Sequence, residues 1–406
     1  MLNPTASIPA NRSSLPRAGA DRAALPFPDP WVLVPALLLL ALGLLMVASA
    51  SMPIAERQTG QPFYFLLRQG AFAGLGLLAA GVVFQIPMAR WRRASPLLLL
   101  AAIGLLVLVL VPGIGKEVNG SRRWIGFGPI NIQASEIAKL FALVYIASYL
   151  KRHGEELRTA NFRTSALALF RPMVVLGVLA VLLLLEPDFG SVIVLMATAL
   201  GMVFLAGVNL WQFGVLQVGT VAVMAALLWS SPLRRALMIS FLDPWANPET
   251  TGYQLVHSLI AIGRGELFGV GLGESVEKLF YLPEAYTDFL FAVLAEELGL
   301  VGVALTLGLF LALCWRVLAL ARRAHAAGMK FHAYLAAGFG LWLGLQAMIN
   351  IGVNMGVLPT KGLTLPLMSY GRSSLIVALA WCGIILRVHH EVAAPARGAR
   401  ARERRA

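Results

Sequence analysis

The sequence predicts an all-α polytopic membrane protein with about ten transmembrane helices, both termini in the cytoplasm, and a large outer loop between helices 7 and 8. Of its 406 residues, 58% are hydrophobic and only 13% are charged, whereas about 25% of residues are charged in soluble globular proteins. Long apolar runs are the second observation. The run WVLVPALLLLALGLLMVASA, for example, approaches the roughly 20 residues that cross a bilayer as a helix.

The apolar runs divide the chain into three parts. Residues 1–30 are polar, contain Pro and show no evident signal peptide, so we expect a disordered cytoplasmic tail. Residues 31–390 form the transmembrane domain, and the basic residues 391–406 form a second cytoplasmic tail. The apolar segments are residues 31–52, 64–86, 96–113, 134–150, 165–185, 189–207, 211–230, 286–320, 332–356 and 373–389. The eighth is longer than a bilayer requires, so we expect it to tilt or protrude.

The orientation follows from Lys and Arg, which give the chain a net charge of +13. Basic clusters such as RWRR and KRHGEELR fall in alternate connections, on the same side as both tails. Short cytoplasmic loops carry an excess of Lys and Arg, so this side is the inner one and residues 231–284 lie outside. Basic segments between apolar runs are typical of contact with anionic lipids, and we expect no nucleic-acid partner.

The outer loop has its own predicted structure. Leu255, Val256, Leu259, Ile260 and Ile262 recur at helical spacing. They predict an amphipathic helix that lies on the outer leaflet or dips into it. The stretch GELFGVGLG supplies flexible backbone, and no strand and helix frame it as a dinucleotide-binding motif would require.

Carboxylates are concentrated where the outer loop meets the eighth apolar segment. Thr287 or Asp288 can cap that helix, and a carboxylate there suits the helix dipole. Alternatively, Asp288 is a general base at the outer surface, where it can meet a lipid-linked substrate. Glu296 and Glu297 lie two turns deeper, and we expect one of them to face a cation and the other a cavity.

A second polar cluster lies within the apolar segments. Glu136 and Lys139 are spaced i, i+3 on one helix face and can pair. Asp188 follows in a very short hairpin. Ionisable groups inside a membrane are expensive and are functional candidates by default. A structural ion-pair network and a functional cavity both agree with this pattern.

Two further outer segments carry groups that suit a diphosphate. Arg122 and Arg123 stand outside, against the overall charge bias, and a guanidinium offers a planar fork of donors to phosphate. The alternative is contact with lipid headgroups. The last outer connection contributes Lys361, Ser369 and Ser373, which suggest a structured loop beside a polar cavity.

The chain resembles a known family in five long motifs that occur in order among the apolar segments. They are NGSRRWI, SEIAKL, EPDFG, GVGLGESVEKLFYLPEAYTDFLFAVLAEELG and GVLPTKGLTLPLMSYGRSS. They are similar to the SEDS family of bacterial shape, elongation, division and sporulation proteins, over about residues 30–390. Within the family, SVEKLFYLPEAYTDF and the long amino-terminal tail resemble the division branch most, and the elongation branch second.

The resemblance implies a peptidoglycan glycosyltransferase that polymerises lipid II at the outer face of the cytoplasmic membrane, at the division septum. It implies that Asp288 is the catalytic aspartate. We expect Thr287, Glu296 and Glu297 to support it from outside the reaction, with the two glutamates either orienting loops or pairing with basic residues. It also implies a cavity network of Glu136, Lys139 and Asp188. The candidates for holding the substrate and its diphosphate are Arg122, Arg123, Lys361, Ser369 and Ser373.

The resemblance also implies partners. They are a class B penicillin-binding protein as transpeptidase, the divisome proteins FtsQ, FtsL and FtsB, and membrane lipids. No protein metal site is expected, and a divalent cation, Mg²⁺ or Mn²⁺, is left open as a companion of the diphosphate.

Two residues depart from the family pattern. Tyr286 stands where members often have His, and Arg372 stands where members usually have Gly. If that Gly needs a positive φ, Arg372 would be strained.

Two rival functions remain on the sequence alone. A lipid II flippase would place its essential charges at mid-membrane and leave Asp288 as a helix cap. A scaffold that only recruits the transpeptidase would tolerate neutral substitutions throughout the cavity.

Overall fold

The fold was analysed in a computed structural model that describes residues 29–118, 121–127, 130–159, 161–360 and 362–403. The described chain forms twelve α-helices, one short 3₁₀ helix and one small sheet. The helices are α1 Pro30–Thr59, α2 Tyr64–Gln85, α3 Met88–Leu110, α4 Ala134–Arg158, α5 Phe162–Leu185, α6 Phe189–Leu205, α7 Leu210–Trp229, α8 Pro232–Leu242, α9 Tyr253–Arg264, α10 Leu290–Ala326, α11 Lys330–Asn354 and α12 Arg372–Glu403.

Each predicted apolar segment corresponds to a helix, namely α1–α7 and α10–α12. Eight described helices are long and apolar enough to cross a membrane, and α6 is a shorter apolar helix. The chain is therefore a multi-pass membrane protein of the predicted all-α class. The predicted tail over residues 1–30 lies almost wholly outside the described residues. The predicted start of the second tail, at residue 391, is not a helix boundary, because α12 continues to Glu403.

The helix α10 is broken rather than simply tilted. Gly299 has φ 62° and ψ −162° within it. The segment of residues 266–271, from the glycine-rich stretch, closes the break with main-chain hydrogen bonds. These are Val270 N to Glu296 O at 2.9 Å, Gly271 N to Glu297 O at 3.1 Å, Leu300 N to Glu266 O at 3.0 Å and Val301 N to Leu267 O at 3.2 Å. A Cβ on Gly299 would collide with this segment, so the crossing requires glycine.

The outer loop contains the predicted amphipathic helix as α9. Leu255 and Val256 are buried on the face that packs against the bundle. Ser258 fixes the same face, because its hydroxyl donates to the carbonyl of Asn354 at 2.8 Å. A second helix, α8, precedes α9 in this loop and was not predicted.

A three-stranded antiparallel sheet between α3 and α4 was also not predicted. Its strands, in spatial order, are β1 Gly115–Val118, β2 Ser121–Phe127 and β3 Ile130–Gln133. Ile125 pairs with Ile132 across β2 and β3. Such short strands, with glycine beside them, give little alternation of apolar and polar residues to detect.

Two ends of the bundle can be distinguished by their contacts. The end with the sheet, the α5–α6 turn, residues 243–289 and the α11–α12 connection is here called the outer end, following the charge pattern. At the opposite, inner end, Arg316 pairs with Asp29 at 2.7 Å and His332 pairs with Glu391 at 2.8 Å. The core between the ends includes the stacked rings of Phe339, Trp342 and Trp381.

Candidate active site

Asp288 lies half-buried at the outer end, immediately before α10. Its backbone carbonyl accepts from the side-chain amides of Asn350 at 2.8 Å and Asn354 at 3.0 Å. Both asparagines belong to α11, and Asn354 also accepts from Ala292 N at 3.1 Å. The carboxylate faces Gly362, because a Cβ on that glycine would lie 3.1 Å from Asp288 Oδ2. The residue is thus held by its main chain, and its carboxylate makes no hydrogen bond or ion pair with the part of the chain that the structure describes.

The capping interpretation of Thr287 and Asp288 is wrong. The N-cap of α10 is Phe289, and no side chain caps it. The Thr287 hydroxyl donates to Glu284, at 3.1 Å to the carbonyl oxygen and 2.7 Å to Oε2. The helix begins after Asp288 because the asparagines of α11 hold the preceding backbone out of helical continuation.

The environment of Asp288 changes its acidity. The pKa of Asp288 is raised to about 7, with burial as the largest cause, the charge of Glu284 adding to it and the charge of Arg123 opposing both. A carboxyl with a pKa near the working pH is well matched to general base catalysis.

Arg122 and Arg123 are adjacent in β2 but have separate partners. Arg123 reaches into the bundle, where Nε donates to Glu186 O at 3.1 Å and Nη2 to Pro187 O at 2.5 Å. Arg122 pairs with Glu117 at 3.2 Å in solvent. Successive residues of a strand point to opposite faces, so the two guanidiniums do not form the paired clamp that their adjacency suggested.

Glu186 is a candidate that the sequence interpretation missed. It lies in the turn between α5 and α6 and is fully buried. Neither of its carboxylate oxygens has a hydrogen-bond partner among the described residues. The pKa of Glu186 is raised to about 8, with burial as the largest cause, the charge of Asp188 adding to it and the charge of Arg123 opposing both. The available signal was the EPD triplet, of which the prediction used only Asp188.

Asp188 joins three elements at the outer end. Its carboxylate accepts from Ser191 N at 3.1 Å and Ser191 Oγ at 2.8 Å at the start of α6. Gln133, at the end of β3, donates to it at 3.4 Å. The same Gln133 donates its backbone N–H to Ser373 Oγ of α12 at 2.9 Å.

The predicted pair of Glu136 and Lys139 is formed, with 2.8 Å between Nζ and Oε1. Lys139 also reaches Gln346 Oε1 at 3.4 Å, and Gln346 donates to Thr364 O at 3.1 Å. Within the described part of the chain, no hydrogen bond or ion pair links this group to Asp188. The predicted cavity network is therefore two separate networks.

Both buried glutamates of α10 bind cations of the outer loop. Glu296 accepts from Arg264 at 2.9 Å, and Glu297 pairs with Lys278 at 2.7 Å. Ser49 of α1 donates to Glu297 at 2.6 Å. The expectation that one glutamate faces a cavity is wrong, whereas the alternative that they pair with basic residues and orient the loop agrees with these contacts.

The connection from α11 to α12 completes the outer end. Ser369 Oγ accepts from Leu365 N at 2.9 Å, so this buried hydroxyl holds the connection itself. Ser373 is likewise buried, and its hydroxyl oxygen accepts a hydrogen bond from the backbone N–H of Gln133. Lys361 lies outside the described residues.

The two residues that depart from the family pattern lie close together. Tyr286 packs against Phe65 and Tyr370, with ring centroids 4.9 and 5.5 Å apart, and its carbonyl accepts from Tyr370 N at 3.0 Å. The charge of Arg372 acts on the Tyr286 phenol. Arg372 begins α12 and does not have a positive φ, so the expected strain is absent.

Comparison with known proteins places these features among related chains. Residues 30–394 match the family model described as cell cycle protein, which is named for FtsW, RodA and SpoVE. A protein from Nitrosococcus halophilus (strain Nc4), named probable peptidoglycan glycosyltransferase FtsW, is 54% identical over 91% of this chain and 94% of its own. A protein of the same name from Thioalkalivibrio sulfidiphilus (strain HL-EbGR7) is 56% identical over 87% of this chain and 88% of its own.

Solved structures show the same architecture. A chain of a peptidoglycan synthase complex that coordinates polymerization and crosslinking is 32% identical, with a TM-score of 0.72, over 90% of this chain and 98% of its own. The rod shape determining protein RodA of Thermus thermophilus is 33% identical, with a TM-score of 0.66, over 90% of this chain and 97% of its own.

Proposed function

Because the chain belongs to the FtsW, RodA and SpoVE family of cell cycle proteins, we propose that it is a peptidoglycan glycosyltransferase. It polymerises lipid II into glycan strands at the outer face of the cytoplasmic membrane. The observation that carries this proposal is the setting of Asp288. Its carboxyl is half-buried at the outer end, its main chain is held by hydrogen bonds, and its pKa is raised to about 7, mainly by burial.

The position of Asp288 suits a lipid-linked substrate. Lipid II carries its sugars on an isoprenoid diphosphate, so its reactive end is confined to the membrane surface. Asp288 lies just before the first residue of α10, where a spanning helix begins. A general base must come within hydrogen-bond reach of the proton that it removes, and this position allows that contact.

The reaction is a single displacement. Asp288 takes the proton of the GlcNAc 4-hydroxyl on the acceptor, and the oxygen forms a bond to the MurNAc anomeric carbon of the donor. The bond from that carbon to the diphosphate oxygen breaks with inversion, and undecaprenyl diphosphate leaves with the electron pair. Because the diphosphate leaves without protonation, the reaction does not need the second carboxylic acid of a glycosidase.

The neighbouring residues keep this site in shape. Arg123 ties β2 to the α5–α6 turn and lowers the pKa of Asp288. Among the described residues, no three His, Cys, Asp or Glu side chains are grouped as metal ligands. A divalent cation would accordingly be held mainly by the diphosphate, as Mg²⁺ commonly is.

The family and the relatives named FtsW support the division septum as the place of action. The related synthase complex couples polymerization to crosslinking. It supports a class B penicillin-binding protein as the partner here. FtsQ, FtsL and FtsB are then the expected neighbours at the septum.

The transport alternative receives less support. A flippase would use the mid-membrane charges of Glu136 and Lys139, but these two are buried and already paired at 2.8 Å. The relatives of this chain are named as glycosyltransferases.

The test is polymerisation of lipid II by the purified protein in complex with its transpeptidase. We expect glycan strands from wild type and from Glu249→Gln, an exposed control. We expect a loss of at least about a hundredfold from Asp288→Asn and Asp288→Ala, because the base is gone. Thermal unfolding and partner capture confirm intact complexes. Equal polymer from Asp288→Asn would refute the assignment, and no polymer from any intact form would favour the flippase.

A further inference from the structure

Most described cations at the outer end already have partners. Arg123 is occupied by two backbone carbonyls and Arg122 by Glu117. Arg264 and Lys278 bind the glutamates of α10. The half-buried guanidinium of Arg372, in contrast, makes no ion pair or hydrogen bond with any described residue.

Arg372 lies near Tyr286, because its charge acts on the Tyr286 phenol. Its neighbour Tyr370 is hydrogen-bonded to the backbone of Tyr286, two residues before Asp288. Its other neighbour, Ser373, is bonded to β3 through Gln133. The start of α12 at Arg372 is therefore joined both to β3 and to the segment that carries Asp288.

The local electrostatics at Arg372 favour an anion. Arg372 is the first residue of α12, and the positive end of the helix dipole makes an unpaired cation unfavourable there. The first N–H groups of a helix also lack intrahelical acceptors. Guanidinium and N–H groups together resemble the arrangement that binds phosphate at helix starts.

A second, independent feature is the side chain of Tyr370, which packs against Tyr286, the same residue on which the charge of Arg372 acts. The Tyr370 hydroxyl is buried and has no hydrogen-bond partner among the described residues. Its ring packs against Phe65 at 5.3 Å and Tyr286 at 5.5 Å. A buried polar group without a partner calls for an unseen ligand or water, and an apolar, aromatic wall suits the first isoprene units of a lipid.

We infer that Arg372 binds the diphosphate of the isoprenoid-linked donor, next to the segment that carries Asp288. This inference rests on the proposed function and adds the cation that holds the leaving group. As the anomeric bond breaks, charge accumulates on the diphosphate oxygens, and the guanidinium stabilises it through planar, charge-assisted hydrogen bonds. Arg122 and Arg123 keep their structural partners throughout.

The experiment uses the full complex with variants at one position. Arg372→Gln and Arg372→Gly remove the charge, Arg372→Lys keeps it, and Arg57→Gln is a control whose guanidinium stacks on Phe280 at 5.0 Å at the outer end. Charge-assisted bonds to phosphate predict that both neutral variants raise KM for lipid II about tenfold or more. Arg372→Lys should recover most of this loss, and Arg57→Gln should match wild type.

Calorimetry with farnesyl diphosphate measures binding to the proposed diphosphate site in the absence of polymerisation. We expect affinity to fall about tenfold in Arg372→Gln, and farnesyl monophosphate to bind wild type more weakly than the diphosphate does. Unchanged KM and binding in both neutral variants would overturn the inference. If Arg372→Gln does not fold, the same measurements on Arg372→Gly, which carries the residue usual in the family, test the inference.

Two further results would give Arg372 or the whole protein a different role. A defect confined to retention on phosphatidylglycerol nanodiscs, with normal farnesyl diphosphate binding, would make Arg372 a headgroup anchor and overturn the inference. If wild type binds farnesyl diphosphate through Arg372 but makes no polymer, the proposed function fails and the diphosphate site stands.

Discussion

At the scale of single residues, the outer end depends on carboxyl groups whose acidity is set by position. Asp288 and Glu186 both have a raised pKa, and in both cases burial is the largest cause. They differ in what surrounds them. Asp288 is half-buried beside Gly362, whereas Glu186 is sealed from solvent. Only Asp288 is placed to exchange a proton with a substrate.

The acidity of Asp288 predicts the pH dependence of polymerisation. With a pKa of about 7, the base is ionised above that pH. We expect kcat/KM to fall about tenfold per unit below pH 6 and to level off above pH 8. Glu284→Gln should shift this limb to lower pH, because Glu284 raises the pKa. Initial rates between about pH 5.5 and 9 provide the measurement, and a flat profile would contradict the base assignment.

The same shift has the opposite consequence for stability. The folded protein binds this proton more tightly than the unfolded chain, whose ordinary pKa is 3.8. Stability is therefore lost as the pH rises from about 4 to about 7. The site gains a base near neutral pH at the expense of some folding free energy.

Glu186 gives a separate prediction. Its folded pKa of about 8 lies above the ordinary value of 4.5, so wild type should lose stability between those two pH values. Glu186→Gln has no carboxyl group to titrate at this position. Between pH 5.5 and pH 8, its unfolding midpoint in detergent should therefore fall by less than that of wild type, and the difference between the two falls should be about 3 °C or more. Glu249→Gln, on the surface, should follow wild type. Parallel curves for Glu186→Gln and wild type would show that Glu186 is not buried as a neutral acid.

At the scale of elements, the outer loop is attached to α10 through buried charge. Lys278 and Glu297 are both almost fully buried and 2.7 Å apart, and Arg264 pairs with Glu296 alongside. The loop is therefore fixed to the half of α10 that follows Asp288.

Breaking one side of this buried pair should be costly. Glu297→Gln or Lys278→Met each leaves an unpaired buried charge or polar group, and we expect a loss of about 3 to 5 kcal/mol. The double variant should lose less than the sum of the single variants, as a thermal-unfolding cycle would measure. The exposed Lys330–Glu155 pair is the control, and Lys330→Gln should change stability by less than about 1 kcal/mol. Additive losses would argue against direct coupling.

At the scale of the whole molecule, the sequence predicts the helices and their order well. Apolar runs of spanning length have few alternatives in a bilayer, so each predicted segment became a helix. The pairing of Glu136 with Lys139 was also predictable, since i, i+3 spacing brings side chains together within one helix.

The remaining features depend on contacts between distant segments. The break in α10 needs residues 266–271, and the position of Asp288 depends on Asn350 and Asn354 of α11, which hold its carbonyl. Glu186 is identified by its burial, which no local pattern shows. The separation of Asp188 from the Glu136 pair likewise depends on how three elements meet.

The break in α10 also bears on how the chain is assembled in the membrane. Gly299 lies about 13 Å along the helix from Leu290, at roughly 1.5 Å per residue. In a continuous α-helix the N–H groups of Leu300 and Val301 would donate to the carbonyls of Glu296 and Glu297, four residues earlier. In the fold, residues 266–271 bond all four of these groups instead. Without the loop, α10 can therefore satisfy its own main chain in hydrocarbon. During biogenesis, therefore, we expect α10 to insert as an unbroken helix, which residues 266–271 open at Gly299 once the outer loop has been translocated.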